Sequence, residues 1–556
     1  MTLNEGETIT GSEALARGAL DAGVQMVTGY PGSPTTATVD ALLRLAPPDV
    51  QIEWAINEKS AFDTAFGASL AGVRALLCLK SVGLNVALDS LMVSNLAPGD
   101  GGFVILAGDD PGGWGSQNEQ DSRLLAASAE VPLLEPTSAA QARETMRQAF
   151  DLSEAFRLPV VVRITRALAG EAALATSGAT ESPTPARPAV FRRQGERLNV
   201  LPIHVVDYHR QLQERLGRVQ AAFENSDLNR VEGAGRLGVL VAGQTYHKLA
   251  QTLDQILAQD GTERPAVFSL ATLHPLPEER LSAWLQEREA VLVLEETAPY
   301  LEVQAQALAQ RTGLALPIYG RKSSHLPGAG ELFAPEISAA LAALLPGRQW
   351  PAPGEAGLGE GGRPLPSRQP LCDDCPYLPA LRALLATMER RGGRDQFVVT
   401  GETGCMVRAQ LPPLEILDMK YGMGSSIGLA TGLARAGIEQ QVVALAGDSA
   451  FLHSGLGELI DADQAGANLL VVLLDNEITA LSGGQPHPAT GHSARGGPRR
   501  PVDLVALVRA AGVGSVRVVD PDRQDVLEAA FEKALQWQQL SVVIVRQACP
   551  RWIAPL

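Results

Sequence analysis

The clearest pattern of apolar and polar positions lies in the last quarter of the chain, where two continuous apolar runs are each followed by polar residues. Gln441–Ala446 and Leu469–Leu474 are rich in Val, Ala and Leu, a composition typical of buried parallel strands. Between them, Leu456–Ala467 has the length and apolar spacing of a helix. The pattern predicts a βαβ unit, whose two parallel strands end at the same edge of a sheet.

An oxygen-bearing side chain follows each of these two predicted strands. Asp448 lies in Gly447-Asp448-Ser449 after the first strand, and Asn476 follows the second, 28 positions after Asp448. A carboxylate and an amide oxygen at one sheet edge suit a hard cation such as Mg2+, which also takes phosphate oxygens. The sequence therefore predicts a metal-bridged diphosphate. On these two residues alone, the alternative is an ordinary βαβ unit in which the Asp caps a helix and the Asn lies in a turn.

Helix-like and strand-like segments also alternate in two earlier regions. We therefore expect an α/β protein with several doubly wound parallel-sheet domains. A long tract rich in Pro and Gly separates the earlier regions from the diphosphate motif. The expected domains are a first α/β domain at 1–170, a connector with a helical segment at 171–235, a second α/β domain at 236–345, a Pro/Gly linker at 346–370 and a diphosphate- and metal-binding domain at 371–556.

Composition narrows the functional classes. A chain of 556 residues is long enough for several domains, each with its own core. The net charge of −16 and the lack of an extended basic cluster argue against nucleic acid as a partner. No apolar run approaches the roughly 18 residues of a membrane span, and the N-terminus has no charged-then-apolar leader pattern. We therefore expect a cytoplasmic protein with no membrane partner.

Four of the five cysteines lie in the last predicted domain. Cys372 and Cys375 form a C-x-x-C pair, Cys405 follows the pair, and Cys549 lies close to the end of the sequence. Four thiolates suit a 4Fe-4S cluster or a structural Zn2+ ion, and unrelated free thiols are the third possibility that the spacing leaves open. Cys78 stands inside an apolar run and is expected to be a core residue.

The residues around the two oxygen ligands carry a family resemblance. Residues 447–455 read Gly-Asp-Ser-Ala-Phe-Leu-His-Ser-Gly, and residues 476–488 read Asn-Glu-Ile-Thr-Ala-Leu-Ser-Gly-Gly-Gln-Pro-His-Pro. They resemble the thiamine diphosphate motif, and most closely the alpha subunits of indolepyruvate ferredoxin oxidoreductases, within the family of thiamine diphosphate-dependent 2-oxoacid:acceptor oxidoreductases. The resemblance implies that Asp448, Asn476 and the carbonyl of Ile478 hold Mg2+ on the diphosphate.

The same resemblance extends to the first domain, which is similar to the family's thiamine pyrimidine-binding domain. It implies that Glu58, in Asn57-Glu58-Lys59, accepts a hydrogen bond from the cofactor's aminopyrimidine. From the residues alone, Glu58 is a first-turn carboxylate that the helix dipole favours. Ser33, in Tyr30-Pro-Gly-Ser-Pro, resembles a substrate contact; a plain proline turn is the alternative. Lys80–Asn85 resembles a family loop that follows a strand, whereas Gly113-Trp114-Gly115 departs from the family's Pro-His-Ser and puts a histidine role there in doubt.

Further site residues are carried over from the family. Met423 and Gly424 are expected to line the cofactor together with Gly447 and Ser449. His453 and His487 are expected to stabilise charge near the reacting carbonyl, with purely structural roles as the alternative. The resemblance also implies that Cys372, Cys375, Cys405 and Cys549 bind the 4Fe-4S cluster closest to the cofactor, and that residues 236–345 form a transketolase C-terminal-like domain.

The implied reaction is the oxidative decarboxylation of a 2-oxoacid, an aryl pyruvate such as indolepyruvate, to an acyl-coenzyme A. Electrons would pass through the 4Fe-4S cluster. Because the sequence ends before the family's ferredoxin-like domain, we expect a redox partner, either ferredoxin or another subunit, a smaller subunit of the beta or gamma type, and a dimer of this chain. The alternatives are a non-oxidative thiamine-dependent decarboxylase and a catalytically silent scaffold subunit.

Overall fold

The computed structural model describes residues 8–174, 187–193, 195–260, 264–344 and 369–552. They fall into two compact units: Met1–Ile52 with Glu58–Pro366, and Glu53–Asn57 with Ser367–Leu556. The predicted linker at 346–370 lies outside the described residues except for its last two positions, and so does the stretch 175–186 of the predicted connector. No helix in the described ranges is both long and apolar enough to cross a bilayer.

The first unit contains strands and helices in alternation. Its strands are β1 (Thr8–Thr10), β2 (Met26–Gly29), β3 (Gln51–Trp54), β4 (Ala75–Lys80), β5 (Phe103–Asp109), β6 (Leu133–Leu134), β7 (Val160–Thr165), β8 (Ala172–Leu174), β9 (Arg230–Glu232), β10 (Leu237–Ala242), β11 (Ala266–Leu270), β12 (Thr272–His274), β13 (Ala290–Leu294) and β14 (Ile318–Tyr319). Its helices are α1 (Gly11–Asp21), α2 (Thr36–Leu45), α3 (Glu58–Leu70), α4 (Ser81–Ser94), α5 (Ser122–Ser128), α6 (Ala139–Phe156), α7 (Arg166–Gly170), α8 (Val205–Glu224), α9 (Thr245–Asp260), α10 (Glu278–Gln286), α11 (Tyr300–Arg311) and α12 (Ala334–Leu344).

Two larger sheets organise this unit, and a short antiparallel pair of β1 with β8 accompanies them. The seven-stranded sheet has the order β12-β6-β7-β5-β4-β2-β3, and the five-stranded sheet has the order β14-β13-β10-β11-β9. Every residue of β5 and β7 is buried, as expected for parallel strands covered on both faces. Strand β12 follows β11 in sequence but pairs antiparallel with β6, so it ties the second α/β region to the first sheet.

The second unit is built on one six-stranded sheet whose neighbouring strands are all parallel, in the order β16-β15-β17-β18-β20-β19. Its strands are β15 (Phe397–Gly401), β16 (Met419–Lys420), β17 (Gln441–Gly447), β18 (Leu470–Asp475), β19 (Ser515–Val519) and β20 (Ser541–Arg546). Its helices are α13 (Tyr377–Arg390), α14 (Ser426–Arg435), α15 (Asp448–Ala450), α16 (Leu456–Gln464), α17 (Leu504–Ala510) and α18 (Gln524–Leu535).

The predicted fold class and the βαβ unit are confirmed. Strands β17 and β18 are parallel neighbours, and α16 lies between them in sequence. Separate apolar clusters cover the two faces of this sheet, one centred on α13 and α18 and the other on α14 and α16. The strands that carry the diphosphate motif are therefore buried on both sides, and only their carboxyl ends are left to present polar groups.

One local prediction was wrong. Lys80–Asn85 is not a loop after a strand, because β4 ends at Lys80 and α4 begins at the very next residue. Lys80 itself is the N-cap position of α4, in extended conformation. The strand thus passes directly into a helix, and the residues of the expected loop form the first turn of that helix.

Candidate active site

The carboxyl ends of β17 and β18 lie side by side in the second unit, and polar side chains cluster there. The strand register pairs Gly447 with Leu474, so Asp448 and Asp475 occupy the next positions on neighbouring strands. Asn476 comes directly after β18, and both Asp448 and Asn476 are buried. The two predicted oxygen ligands are therefore brought to one edge of the sheet.

A hydrogen bond connects the segments that follow the two strands. Thr479 Oγ1 donates to Ser449 Oγ at 3.0 Å. The chain beyond Asn476 folds back on itself, because Thr479 N donates to the carbonyl of Gln485 at 3.0 Å. Ser449 is thus held beside the Asn476 loop, on the side where the sequence predicted the cofactor.

Both ring nitrogens of His487 are engaged, one by a main-chain amide and the other by Asp448. Ala489 N donates to His487 Nδ1 at 3.3 Å, and His487 Nε2 lies 3.2 Å from Asp448 Oδ2. Because Nδ1 accepts a hydrogen bond, the ring proton lies on Nε2 and is donated to Asp448. His487 therefore orients the Asp448 carboxylate. His453 lies in a π-helical turn, Phe451–Gly455, where its Nδ1 contacts Ser454 Oγ.

The loop between Asn476 and Ile478 has a conformation that favours an exposed carbonyl and a fixed amide. Glu477 has a φ of 61°, in the left-handed region that non-glycine residues rarely adopt. Ile478 N donates to Asn476 Oδ1 at 3.4 Å, and Cys549 N donates to the Asn476 carbonyl at 3.0 Å. The strained residue thus lies between the amide and the carbonyl that the sequence predicted as metal ligands.

Electrostatics at this edge favour a cation. Burial and the nearby Asp448 carboxylate raise the pKa of Asp475 to about 6, against the opposing effect of Arg546, whose Nε lies 2.6 Å from Asp475 Oδ2. Two buried carboxylates with one partly exposed arginine leave excess negative charge. Within the described ranges, no three His, Cys, Asp or Glu side chains are grouped as ligands for one ion. A divalent cation here would therefore take one carboxylate together with amide, carbonyl and phosphate oxygens, and the residues present fit such a set.

Glu402 is a site residue that the sequence prediction missed. It follows β15, the other neighbour of β17, and its Oε1 accepts a hydrogen bond from Gly447 N at 3.0 Å. Burial raises the pKa of Glu402 to about 8. The sequence did contain the relevant pattern, since Glu402 follows an apolar strand just as Asp448 does. Glu402 holds the main chain immediately before Asp448.

Met423 and Gly424 precede α14 in the same unit. Gly424 has a φ of 78°, and a Cβ atom there would lie 2.6 Å from Ser454 Cβ. Both the backbone conformation and the close approach require glycine. Met423 is half-buried next to it. The short segment therefore packs closely against the turn that carries His453.

The four cysteines of the second unit influence one another electrostatically. Burial raises the pKa of Cys375 to about 11, and the thiols of Cys372 and Cys549 raise it further. Burial likewise raises the pKa of Cys405 to about 12, with additional effects of the other three thiols. Such mutual effects require proximity. The four thiols are thus near enough to influence one another, but within the described ranges they are not grouped as ligands for one ion, and the cluster stays a prediction. The fully buried Cys78 is a core residue, as predicted.

Tyr377 is a second residue at the strand edge that the sequence prediction missed. Its hydroxyl donates to the Leu474 carbonyl at 3.2 Å, one residue before Asp475. Burial raises the pKa of Tyr377, and Asp448 and Cys405 are the next largest influences. The buried phenol therefore lies at the end of β18, within electrostatic reach of both Asp448 and Cys405. Its position after a C-x-x-C-Pro segment offered no pattern from which this role could be deduced.

In the first unit, Glu58 begins α3 and is almost completely buried. Its side chain packs against Gly83 in the first turn of α4, where an added Cβ atom would lie 2.6 Å from Glu58 Cγ and 2.7 Å from Oε1. The absence of a side chain at Gly83 therefore makes room for the carboxylate. A buried carboxylate in this setting fits the acceptor that an aminopyrimidine nitrogen needs.

Ser33 is exposed in the turn that follows β2. The loop that departs from the family pattern is held by its tryptophan: Trp114 Nε1 donates to Glu331 Oε2 at 2.7 Å, and the Arg166 guanidinium lies 4.8 Å from the indole ring centre. Trp114 therefore holds this loop by packing and hydrogen bonding.

Two family models match the chain. Residues 17–175 match the thiamine diphosphate-binding model of pyruvate flavodoxin/ferredoxin oxidoreductases, and residues 402–545 match the C-terminal TPP-binding domain of thiamine pyrophosphate enzymes. The second match begins at Glu402 and contains the strand edge with Asp448 and Asn476.

Curated relatives extend over nearly the whole chain. The chain is 33% identical to the indolepyruvate oxidoreductase subunit IorA of Archaeoglobus fulgidus, covering 98% of this chain and 87% of the relative. It is 34% identical to the IorA subunit of Thermococcus kodakarensis over 97% of this chain and 85% of the relative. The 2-oxoglutarate synthase subunit KorB of Archaeoglobus fulgidus is 30% identical over 32% of this chain and 69% of its own length.

Proposed function

Because the chain belongs to the family of indolepyruvate oxidoreductase IorA subunits, thiamine diphosphate-dependent 2-oxoacid oxidoreductases, we propose that it oxidatively decarboxylates an aryl pyruvate such as indolepyruvate to an acyl-coenzyme A. Electrons leave through a 4Fe-4S cluster. The observation that supports this proposal is the mutual electrostatic influence of the four cysteine thiols, with Cys405 and Asp448 both acting on Tyr377. A non-oxidative decarboxylase has no need of a redox group at this place.

The residues of the second unit bind the diphosphate of the cofactor and orient it. Asp448, Asn476 and the Ile478 carbonyl hold Mg2+ on the diphosphate, and His487 keeps the Asp448 carboxylate in position by donating to it. Gly447, Ser449, Met423 and Gly424 line the cofactor. When bound, thiamine diphosphate supplies the nucleophilic carbon that attacks the 2-oxo group and accepts the electrons left as CO2 departs.

The residues of the first unit act on the aminopyrimidine of the cofactor and on the substrate. Glu58 accepts a hydrogen bond from the aminopyrimidine, and its burial beside Gly83 keeps water from competing for the carboxylate. The Ser33 hydroxyl contacts the 2-oxoacid. His453 stabilises charge near the reacting carbonyl, as the family resemblance implies.

The electron path requires further partners. Cys372, Cys375, Cys405 and Cys549 hold the 4Fe-4S cluster, which accepts electrons singly. A smaller subunit of the beta or gamma type assembles with this chain, and ferredoxin or another redox subunit takes the electrons onward. Coenzyme A captures the acyl group, and the chain forms a dimer in the cytoplasm.

Anaerobic purification of the chain with its co-purifying partner tests this proposal. We expect bound iron and thiamine, and dye reduction that depends on both an aryl pyruvate and coenzyme A. A colourless, iron-free complex that still decarboxylates the aryl pyruvate would instead establish the non-oxidative enzyme. Unchanged turnover in a Glu58→Ala complex would establish the silent scaffold.

A further inference from the structure

Lys80 stands at the carboxyl end of β4, directly below the turn that carries Ser33. In the sheet order β4 lies between β2 and β5. The turn lies tightly over these strand ends, because a Cβ atom at Gly32 would be 2.9 Å from Lys80 Cβ, and one at Gly108 would be 2.7 Å from Pro34 Cδ. The lysine stem and the Ser33 turn are therefore packed against each other.

The ammonium group of Lys80 has no counter-ion among the described residues. Its hydrogen bond runs from Nζ to the Gly115 carbonyl at 3.1 Å, and no carboxylate of the described ranges lies within 4.0 Å of it. Burial lowers the pKa of Lys80, and Asp110 opposes this effect only partly. Asp110 is already engaged, since its Oδ2 accepts from Gly115 N at 2.7 Å and from Ser116 Oγ at 2.6 Å.

Lys248, in the same unit, differs from Lys80 because carboxylates pair with it. Both lysines are half-buried, but the Lys248 Nζ lies 2.9 Å from both Glu296 Oε1 and Glu331 Oε1, and these carboxylates raise its pKa. A half-buried cation has lost part of its hydration, and this cost is not offset where no anion pairs with it. Among the described residues, Lys80 has no such anion within 4.0 Å.

We propose that Lys80 binds the carboxylate of the 2-oxoacid substrate, with the Ser33 hydroxyl as a second, neutral donor. The inference rests on the proposed function, since it deepens the same site. Gly83, which makes room for Glu58, is three residues further along and belongs to the first turn of the helix that Lys80 caps. Lys80 and Glu58 therefore lie at the same end of α4, so the anion is held next to the group that activates the cofactor.

The charge of Lys80 should act mainly on substrate binding. The carboxylate it holds departs as CO2, so the ion pair is present in the ground state and is lost as the reaction proceeds. Such an interaction lowers KM without raising kcat. In the complex with the partner subunit, we expect Lys80→Met to raise KM for an aryl pyruvate roughly 10- to 100-fold, the loss of one charge-assisted hydrogen bond, with much less effect on kcat. Lys80→Arg should recover part of the affinity.

A binding measurement separates this role from a structural one. Phenylpropionate carries the carboxylate without a reactive 2-oxo group, and phenylpropionamide is its neutral counterpart. The wild-type complex should prefer the acid over the amide, and Lys80→Met should abolish the preference while thiamine content stays unchanged. Lys322→Met, which removes an exposed lysine of the same unit, should behave like the wild type.

Two results would overturn the assignment: an unchanged preference for the acid in Lys80→Met, or an equal loss of acid, amide and thiamine binding, which would mark Lys80 as structural. The proposed function can fail separately. If the wild-type complex oxidises no 2-oxoacid but the acid preference still depends on Lys80, the carboxylate site stands and the proposed reaction does not.

Discussion

At the scale of single residues, the contact between Glu58 and Gly83 determines where the activating carboxylate lies. In an ordinary helix, Gly→Ala stabilises by up to about 1 kcal/mol. At Gly83 the new Cβ atom would instead lie 2.6 Å from Glu58 Cγ and displace it. We expect Gly83→Ala to reduce aryl pyruvate turnover by at least about tenfold, the loss of one charge-assisted hydrogen bond, as measured by dye reduction.

The control for this variant is Gly67→Ala in α3. No atom lies within 4 Å of a Cβ added at Gly67, so this substitution adds helix propensity without displacing anything. It should leave turnover unchanged and slightly raise the unfolding midpoint. Equal turnover in the two variants would contradict the role given to the Gly83 contact.

Glu477 offers a second test at this scale, because its left-handed backbone is what separates the Asn476 amide from the Ile478 carbonyl. Asn tolerates this conformation, whereas the β-branched Val does not, at a cost of roughly 1–2 kcal/mol. Both substitutions remove the same charge. We expect Glu477→Val to weaken Mg2+-dependent thiamine diphosphate binding about tenfold relative to Glu477→Asn, by titration calorimetry. Equal affinities would show that the loop conformation does not matter for the metal.

Which site residues the sequence could predict depends on how they are held. Asp448 and Asn476 could be predicted because each follows an apolar run, and predicting a strand from such a run also predicts which residue stands at its end. The proposed roles of Lys80 and Tyr377 could not be predicted from the sequence. Their roles come from the groups packed around them, Gly32 in one case and the Leu474 carbonyl in the other, and such contacts leave no local pattern.

At the scale of elements, the strands were the easiest part to predict. β5 and β18 are buried at every position, so their sequences are continuous apolar runs. β12 could not be predicted to join the first sheet, because its partner β6 lies more than a hundred residues earlier and both strands are short. The helix α4 was misjudged because Lys80–Asn85 was interpreted from its resemblance to a family loop, whereas β4 passes into α4 without an intervening residue.

A buried ionic network joins several of these elements in the first unit. Arg163 on β7 lies 2.6 Å from Asp109 at the end of β5, forms an ion pair with Glu135, and donates to the Glu296 carbonyl at 2.7 Å. We expect Arg163→Met to destabilise the unit by about 3–5 kcal/mol, because it leaves buried carboxylates unpaired. Urea unfolding measures this difference.

The matched control for the network is Arg236→Met. Arg236 lies 2.8 Å from Glu289, but both side chains are largely exposed. An exposed pair contributes about 0–1 kcal/mol, so this variant should unfold at nearly the wild-type urea concentration. If Arg163→Met were equally mild, the network would not hold the elements together.

The four proposed cluster cysteines come from separate segments of the second unit, and substituting one of them tests whether these segments bind iron together. We expect Cys405→Ser to lower the iron content of anaerobically purified complex while leaving bound thiamine unchanged, because Cys405 is a proposed cluster ligand and not a proposed ligand of the diphosphate metal. Cys78→Ala, at a core position of β4, should keep its iron. Full iron occupancy in Cys405→Ser would remove Cys405 from the ligand set.

At the scale of the whole chain, both units combine an apolar sheet with buried carboxyl groups at strand ends. Burial raises the pKa of Asp109 and Glu295 in the first unit and of Glu402 and Asp475 in the second. A raised pKa means that each of these carboxyl groups binds a proton more tightly in the folded chain than in the unfolded chain. The net charge of −16, calculated from sequence, does not reveal this tighter proton binding.

Glu402 makes the consequence measurable. Its pKa rises from 4.5 to about 8, so the folded state holds a proton that the unfolded state loses across this window. Its stabilising contribution is complete below pH 4.5 and is lost as the pH rises to about 8. Relative to the wild type, Glu402→Gln should therefore gain roughly 2 kcal/mol of unfolding free energy between about pH 6 and about pH 8. Urea unfolding of the isolated chain at both pH values provides the measurement.

The control is Glu439→Gln, at an exposed position, whose unfolding free energy should change with pH as that of the wild type does. If Glu402→Gln also changed with pH as the wild type does, the carboxyl beside Gly447 would already be ionised at about pH 6.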